Sequence, residues 1–367
     1  VSYTKADYAF MARAIQLARK SMYTTHPNPN VGCIFVKDHK IIAEGWHQYA
    51  GGPHAEINAL NNTKEDISGA SCYVSLEPCC HTGRTPPCVD ALIEAGISQL
   101  YIAMLDPNPL VAGRGLERAE QAGIKTDTGL LELQAASNNK GYILRRTANR
   151  PRVTCKMAIS LDGKTALNNG ESKWITSSDA RLDVQRLRAS SSAIMTGIGT
   201  VLADDPSLTV REIDLQGRQP VRVVIDPELK FPPTAKMLQL PGQTLIFTKN
   251  NMNKNAEILR QAGAEVINKA VDRKDFLMAV LKHLAMEKEI NEVLLEAGAS
   301  LAGSMLEQGL IDELILYQAP VLMGNKARSM LELPEFNSMQ EIIQLDMNDI
   351  KMVGKDIRIS LKSIIKV

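Results

Sequence analysis

The 367 residues suffice for two domains, and with 44% of them hydrophobic the chain can fill two cores. Its 42 basic and 41 acidic residues leave a net charge of +1 with no long single-sign run, which excludes the usual nucleic-acid-binding profile and speaks against a tRNA- or DNA-editing enzyme. No apolar run approaches the roughly 20 residues that span a bilayer, and the amino terminus lacks a signal-like apolar core, so a cytoplasmic protein without membrane partners is expected. Residues 5–22 then place Tyr8, Met11, Ala12, Ile15, Ala18 and Met22 at helical spacing, an amphipathic helix. His26-Pro27-Asn28-Pro29-Asn30-Val31-Gly32 ends it, because neither proline can continue a helix and each pushes the residue before it to an extended conformation. Asn28 and Asn30 in this stiff loop could read the edge of a polar heterocycle or simply close an Asx turn. Val31–Val36 and Ile41–His47 read as strands joined in a hairpin at residues 37–40.

Gly51-Gly52-Pro53 leads into a predicted helix carrying His54, Glu56, Ile57 and Leu60. Ser71–Leu76 is a strand, and Cys79 lies just past its end, where ligand sites of α/β sheets collect. Cys79, Cys80 and Cys88 cluster beside His81, and in a large chain of this kind such clustering indicates metal rather than disulfides. A His, a carboxylate two positions on, and two downstream cysteines match the zinc deaminase pattern, in which His54, Cys79 and Cys88 hold the ion and Glu56 moves protons. Three protein ligands leave a tetrahedral position open, as catalytic zinc requires, and zinc makes water acidic near neutral pH. The eight residues between Cys79 and Cys88 depart from the common Cys-x-x-Cys spacing. Pro87 followed by Cys88-Val89-Asp90-Ala91-Leu92-Ile93 resembles a helix start, which would favour a thiolate at Cys88. Cys80 is the competing ligand, and a closed structural knot with His81 or Cys80 as fourth ligand is the alternative. On one helix His54 and Glu56 would diverge by about 200°, so Glu56 would reach the site from the side.

Gln99–Met104 is a strand, Asp106-Pro107-Asn108-Pro109 a turn, and Gly113-Arg114-Gly115 opens a helix ending at Gly123. The alternation of strands and helices predicts a mixed sheet between helices, closed by one helix over Leu130–Arg146. The first domain thus covers residues 1–146, a linker 147–151, and the second domain 152–367. There Val153–Ile159 is a strand, Ser160-Leu161-Asp162-Gly163-Lys164 a turn, and the polar stretch Asn168–Ser178 holds Trp174, which shelters a flat ligand or packs inside. A helix over Ser178–Arg188 feeds the strand Ala193–Thr196 and Gly197-Ile198-Gly199-Thr200. Val293–Glu296 is followed by Gly298 and a helix from Ala299 to Glu307 with Gly303 inside it. Two strand-glycine-helix turns, with strands at Val221–Asp226 and Thr244–Phe247, describe an α/β domain able to hold a phosphorylated cofactor. Asp312–Ala319 and Asp356–Lys362 have the alternation of closing strands.

His54-Ala55-Glu56, Glu77-Pro78-Cys79 and Gly83-Arg84-Thr85-Pro86-Pro87-Cys88 together resemble the bifunctional riboflavin-biosynthesis deaminase/reductase family. The resemblance continues through Asp106–Pro109, Ser160–Gly163, Trp174-Ile175-Thr176, Leu202-Ala203-Asp204-Asp205-Pro206 and Glu296-Ala297-Gly298, and so spans both domains. It implies an amino-terminal cytidine-deaminase-like α/β/α sandwich and a carboxy-terminal α/β domain resembling dihydrofolate reductase. The first would deaminate a diamino-ribosylamino-pyrimidinone 5′-phosphate, with zinc on His54, Cys79 and Cys88 and Glu56 as proton shuttle. The second would use NADPH to reduce the ribose to ribityl. By the same resemblance NADPH contacts Ala158, Trp174, Thr200, Asp204, Gly298, Ala299, Ser300, Leu301, Ala302, Gly303 and Ser304. Substrate contacts fall on Ser172, Arg188, Leu208, Arg211 and Glu296, the two arginines suiting a phosphate. Pro227, after Asp226, stands where a small polar cofactor contact is expected. A homo-oligomer is expected, because exposed faces of both domains could pair.

Overall fold

The structure, a computed structural model, describes residues 3–80, 87–250 and 254–363 and divides into two units, Val1–Asn149 and Arg150–Val367. The first comprises α1 (Lys5–Ala18), β1 (Gly32–Lys37), β2 (Lys40–Trp46), α2 (Ala55–Asn61), β3 (Ser71–Val74), α3 (Cys88–Glu94), β4 (Gln99–Ile102), α4 (Arg114–Gln121), β5 (Lys125–Thr128), α5 (Glu132–Ser137) and α6 (Lys140–Ala148). Its sheet runs β2-β1-β3-β4-β5, with β1 antiparallel to both neighbours and β3, β4 and β5 parallel. Side chains alternate across a strand, so Cys33 and Phe35 pack with α2, α3 and α4, while Ile34 and Val36 pack with α1 and α5. Both faces are covered, and the layers are α/β/α.

Four local expectations change. The buried face of α1 is Met11, Ala14, Ile15, Leu17 and Ala18, whereas Tyr8 and Met22 are exposed. The cause is Gly32, which has no room for a Cβ beneath the backbone of Ala14 and Ala18, so α1 presents its small residues to β1. His54 is the extended N-cap residue of α2 rather than part of it, and its ring is free of the helical period. The helix expected over Leu130–Arg146 is two helices. Asn139 breaks it by exchanging bonds with the Asn30 backbone (2.7 and 2.9 Å), and Asn30 in turn donates to the Asn138 carbonyl (3.0 Å). Asn30 is thereby occupied structurally. The helix α6 also takes in Thr147 and Ala148, which the sequence reading gives to the linker.

The second unit comprises β6 (Arg152–Ser160), β7 (Lys164–Ala166), α7 (Ser178–Ala189), β8 (Ala193–Gly197), α8 (Ile198–Asp204), β9 (Val221–Ile225), β10 (Thr244–Thr248), α9 (Lys254–Gln261), β11 (Ala264–Asn268), α10 (Phe276–Met286), β12 (Glu292–Leu295), α11 (Ala299–Glu307), β13 (Glu313–Ala319), β14 (Arg328–Ser329), β15 (Leu345–Val353) and β16 (Asp356–Ser363). The main sheet runs β11-β10-β9-β8-β12-β6-β13-β16-β15, parallel from β11 to β13 and antiparallel through β16 and β15. Met195, Val223 and Leu245 pack with α10 and α11, and Ile194, Val224 and Ile246 with α8 and α9. Because β8, β12 and β6 are adjacent and parallel, their carboxyl ends bring Gly197, Glu296 and Ser160 to one edge of the sheet.

Candidate functional site

In the first unit, His54 stands at the N-cap of α2, Cys79 on the segment leaving β3, and Cys88 at the first position of α3. His54 Nδ1 lies 3.0 Å from Cys88 Sγ and 3.5 Å from Cys79 Sγ, and one ligand atom from each residue falls within 4.8 Å of the others. Tetrahedral zinc with bonds of about 2.0 Å to nitrogen and 2.3 Å to sulfur would set N···S separations of about 3.5 Å, so the three donors fit the ion. The Cys88 N–H donates to Cys79 Sγ (3.3 Å), and bonds from the Cys88 thiol and His54 lower the Cys79 thiol to about 4. Its thiolate is the form that binds metal. Cys80 turns its sulfur toward the Leu110 carbonyl (3.7 Å), and His81, with Gly83–Pro86 of the motif, lies outside the described residues.

Glu56, in the first turn of α2, is 3% exposed, and burial raises its carboxyl above the usual range. Its carboxyl and the Cys88 thiol act on each other's ionisation, which sets Glu56 beside the metal donors. A histidine that sequence reasoning missed completes the wall. His47, just past β2, has its Nδ1 3.0 Å from the Pro53 carbonyl and its Nε2 3.0 Å from Asn28 Nδ2, which assigns the proton to Nδ1. Its ring meets that of His54 edge-on at 5.5 Å, and burial lowers its pKa. Of the two loop asparagines, Asn28 therefore borders the site. No spacing rule links residue 28 to residue 47, since the fold alone makes them neighbours.

In the second unit, Ala158 lies on β6 opposite Tyr317, and Thr200 and Asp204 lie on α8. Gly298 caps α11, and a Cβ built on it would be 4.0 Å from Thr200 Oγ1, while one on Gly197 would be 3.4 Å from Leu301. The two glycine turns are thus side by side and form a bare backbone cradle suited to a phosphorylated cofactor. Within 298–304 the residues differ in access. Gly298 is exposed and Ala299, Leu301 and Ser304 are half-buried, but Ala302 is fully buried in the core. Ser300 bonds the Glu332 carboxylate, and Gly303 lies under the Glu332 backbone with no room for a Cβ. Trp174 is 72% exposed, with the Arg181 guanidinium 4.7 Å from its ring centroid, so it is not an interior packing residue.

Arg188 and Glu296 form a two-pronged pair (2.6 and 3.1 Å), and Arg188 Nη1 also donates to the Thr209 carbonyl (3.0 Å). Lys156, which sequence reasoning did not single out, adds a second cation 3.8 Å from Glu296. Against the opposing effect of burial, these two cations hold the Glu296 carboxyl at about 2. Ser172 is half-buried on the loop before α7, and Arg211 is exposed. Leu208 is packed in the core, so only its backbone is left for a ligand. The Pro227 carbonyl accepts from Thr248 Oγ1 and Lys249 N–H (both 3.1 Å), and so serves the sheet end.

Two family models match the chain: the cytidine and deoxycytidylate deaminase zinc-binding region over residues 4–104, and the RibD C-terminal domain over residues 151–359. The riboflavin biosynthesis protein RibD of Escherichia coli K12 is 45% identical, over 97% of this chain and 99% of its own length. A RibD structure from Acinetobacter baumannii is 43% identical, with a TM-score of 0.91 over 98% of this chain and 99% of its own. The structure of a diaminohydroxyphosphoribosylaminopyrimidine deaminase/5-amino-6-(5-phosphoribosylamino)uracil reductase from Thermotoga maritima is 32% identical, with a TM-score of 0.87 over 98% and 99% of the two chains. A deaminase-type zinc trio in one unit, a glycine cradle in the other, and end-to-end likeness to these proteins place the chain in the RibD family of bifunctional riboflavin-biosynthesis deaminase/reductases.

Proposed function

We propose that the first unit hydrolytically deaminates 2,5-diamino-6-ribosylamino-4(3H)-pyrimidinone 5′-phosphate to 5-amino-6-ribosylaminouracil 5′-phosphate, and that the second reduces the ribosyl group of that product to ribityl. The convergence of His54 Nδ1, Cys79 Sγ and Cys88 Sγ beside the buried Glu56 carries the reading. These three residues would hold zinc, which when bound would supply Lewis acidity and make water acidic near neutral pH. Glu56 takes a proton from the attacking water and delivers it to the departing amine, so ammonia leaves and oxygen replaces the exocyclic nitrogen. A carboxyl raised by burial suits both halves of that transfer. Asn28, oriented against His47, faces the heterocycle.

In the second unit bound NADPH would supply the hydride. Gly298 and Ala299 offer backbone to its phosphates, with Thr200, Asp204, Ala158 and Trp174 completing the cofactor side. Ser304 and Leu301 support the cradle, and Ala302, Ser300 and Gly303 hold α11 in place. Arg188, Arg211, Ser172, Glu296 and the Leu208 backbone form the substrate side. The enzyme works in the cytoplasm as a homo-oligomer without nucleic-acid partners. Met347, Ile350 and Met352, exposed on the edge strand β15, support the pairing of copies. Zinc content of three variants tests the ligand set. Cys79→Ser and Cys88→Ser should lose zinc and ammonia release, while Cys80→Ser keeps both. Loss in Cys80→Ser with retention in Cys79→Ser would reverse the assignment.

A further inference from the structure

Glu77 is a buried carboxylate, 4% exposed, two residues before Cys79, and neither half-reaction uses it. Its N–H donates to the Met104 carbonyl (3.0 Å), which fixes the backbone as it leaves β3. Its carboxylate accepts four backbone N–H groups, two at each oxygen. Oε2 takes those of Asp106 (3.1 Å) and Gly113 (3.0 Å), and Oε1 those of Gly115 (2.9 Å) and Leu116 (3.4 Å). All four belong to the turn before α4 and to its first residues. Among the described residues no lysine or arginine forms an ion pair with Glu77, so the amides and the helix amino terminus offset its burial. The contact is tight, since a Cβ on Gly115 would collide with the Pro78 carbonyl and come within 3.2 Å of Glu77 Oε1.

On its other side Cys79 is held by α3, where the Cys88 N–H reaches its sulfur and the Val89 N–H its carbonyl (both 3.3 Å). The ligand therefore lies between two helix amino termini, one bonding it directly and the other gripping it through Glu77 and Pro78. We propose that Glu77 is a positioning residue for the metal site, setting where Cys79 Sγ stands relative to Cys88 and His54. The proposal rests on the assignment of Cys79 as a zinc ligand. It does not make Glu77 a ligand or a proton carrier, since both of its oxygens are occupied.

Glu77→Gln in the full-length protein tests it, because the amide keeps the shape but turns an NH₂ toward two N–H donors. Zinc affinity is read by chelator competition, and the cobalt(II)-loaded protein reports thiolate ligation through its sulfur-to-cobalt absorption. Near-UV circular dichroism serves as the folding control for the first unit, and reductase turnover checks that the second is untouched. Affinity should fall about 10- to 100-fold, as when the outer partners of other metal sites are removed. The cobalt band should shift or weaken while reductase turnover stays unchanged. If near-UV circular dichroism shows that Glu77→Gln does not fold, Glu77→Asp carries the same test, with a smaller change of the same sign. Unchanged affinity and an unchanged cobalt band in the folded variant would overturn the proposal, even with a lower melting temperature. A wild-type cobalt band insensitive to Cys79→Ser would instead overturn the ligand assignment, and the proposal with it.

Discussion

Gly45 on β2 bears α2 directly against the sheet, and Gly45→Ala tests whether that contact sets the geometry of the deaminase site. A Cβ at this position would lie 2.7 Å from Ala59 Cα, and closer still to Ala59 N and Ala55 O, where ordinary contacts begin at 3.4 Å. The obstacles are helix backbone, so no side-chain rotation relieves them, and α2 must rise by about 1.2 Å for Ala59 N, the nearest of them, to regain normal contact. Its first turn carries Glu56, and its N-cap is His54. A misplacement of about 1 Å costs on the order of 10²-fold in rate, and overpacking costs about 1–3 kcal/mol in stability. The expected result is ammonia release reduced about 100-fold at saturating substrate and zinc, with a lowered unfolding midpoint for the first unit. NADPH oxidation on pre-formed deaminated product should be unaltered. Deamination within twofold of wild type in a folded Gly45→Ala protein would refute the reasoning, because it would mean that Glu56 and the metal donors do not depend on the seat of α2.

Glu56→Gln should keep zinc and lose about 10²- to 10⁴-fold in ammonia release, measured by metal analysis and steady-state kinetics on one preparation. Glu296→Gln bears on acid stability. The folded carboxyl is depressed from 4.5 to about 2 by Arg188 and Lys156, so its contribution is present above pH 4.5 and is lost as pH falls toward 2. Its size is on the order of 3 kcal/mol, at about 1.4 kcal/mol for each tenfold change in acidity. Denaturant midpoints of the second unit should show the gap between wild type and Glu296→Gln closing across that window, and a constant gap would contradict the pairing. Trp174→Ala should raise the KM for NADPH and leave ammonia release untouched, as initial rates at varied cofactor would show.

The chemistry of the first unit was legible because its residue types are rare in combination. A His, a Glu and two Cys at helix and strand ends have few joint readings, and the helix start expected at Cys88 is where α3 begins. The misread elements share a cause, which is tertiary contact without a local signal. Asn139 splits a helix only because Asn30 lies 109 positions away in sequence and beside it in space. The short strand β5, Lys-Thr-Asp-Thr, has no apolar member to announce it. No element was placed between Phe247 and Val293, where α9, β11 and α10 lie. The strand β15 carries little apolar signal for burial, since its central Met347, Ile350 and Met352 face solvent and only Leu345 and Val353 at its ends pack against the core. His47, just past β2, and Lys156, on β6, are single residues without a local signal, and each acquires meaning only from a partner the fold supplies, Asn28 for one and Glu296 for the other.

The most direct test of two sequential activities in one chain follows ammonia and NADPH together in a single reaction on the diamino-pyrimidinone ribotide. The zinc-loaded protein should release ammonia at once and consume NADPH after a lag. Removal of zinc should stop both signals, and addition of deaminated product should then restore NADPH consumption alone. Ammonia release without any NADPH consumption would contradict the account of the second unit. NADPH consumption on the diamino substrate by zinc-free protein, with no ammonia formed, would contradict the order of the two steps.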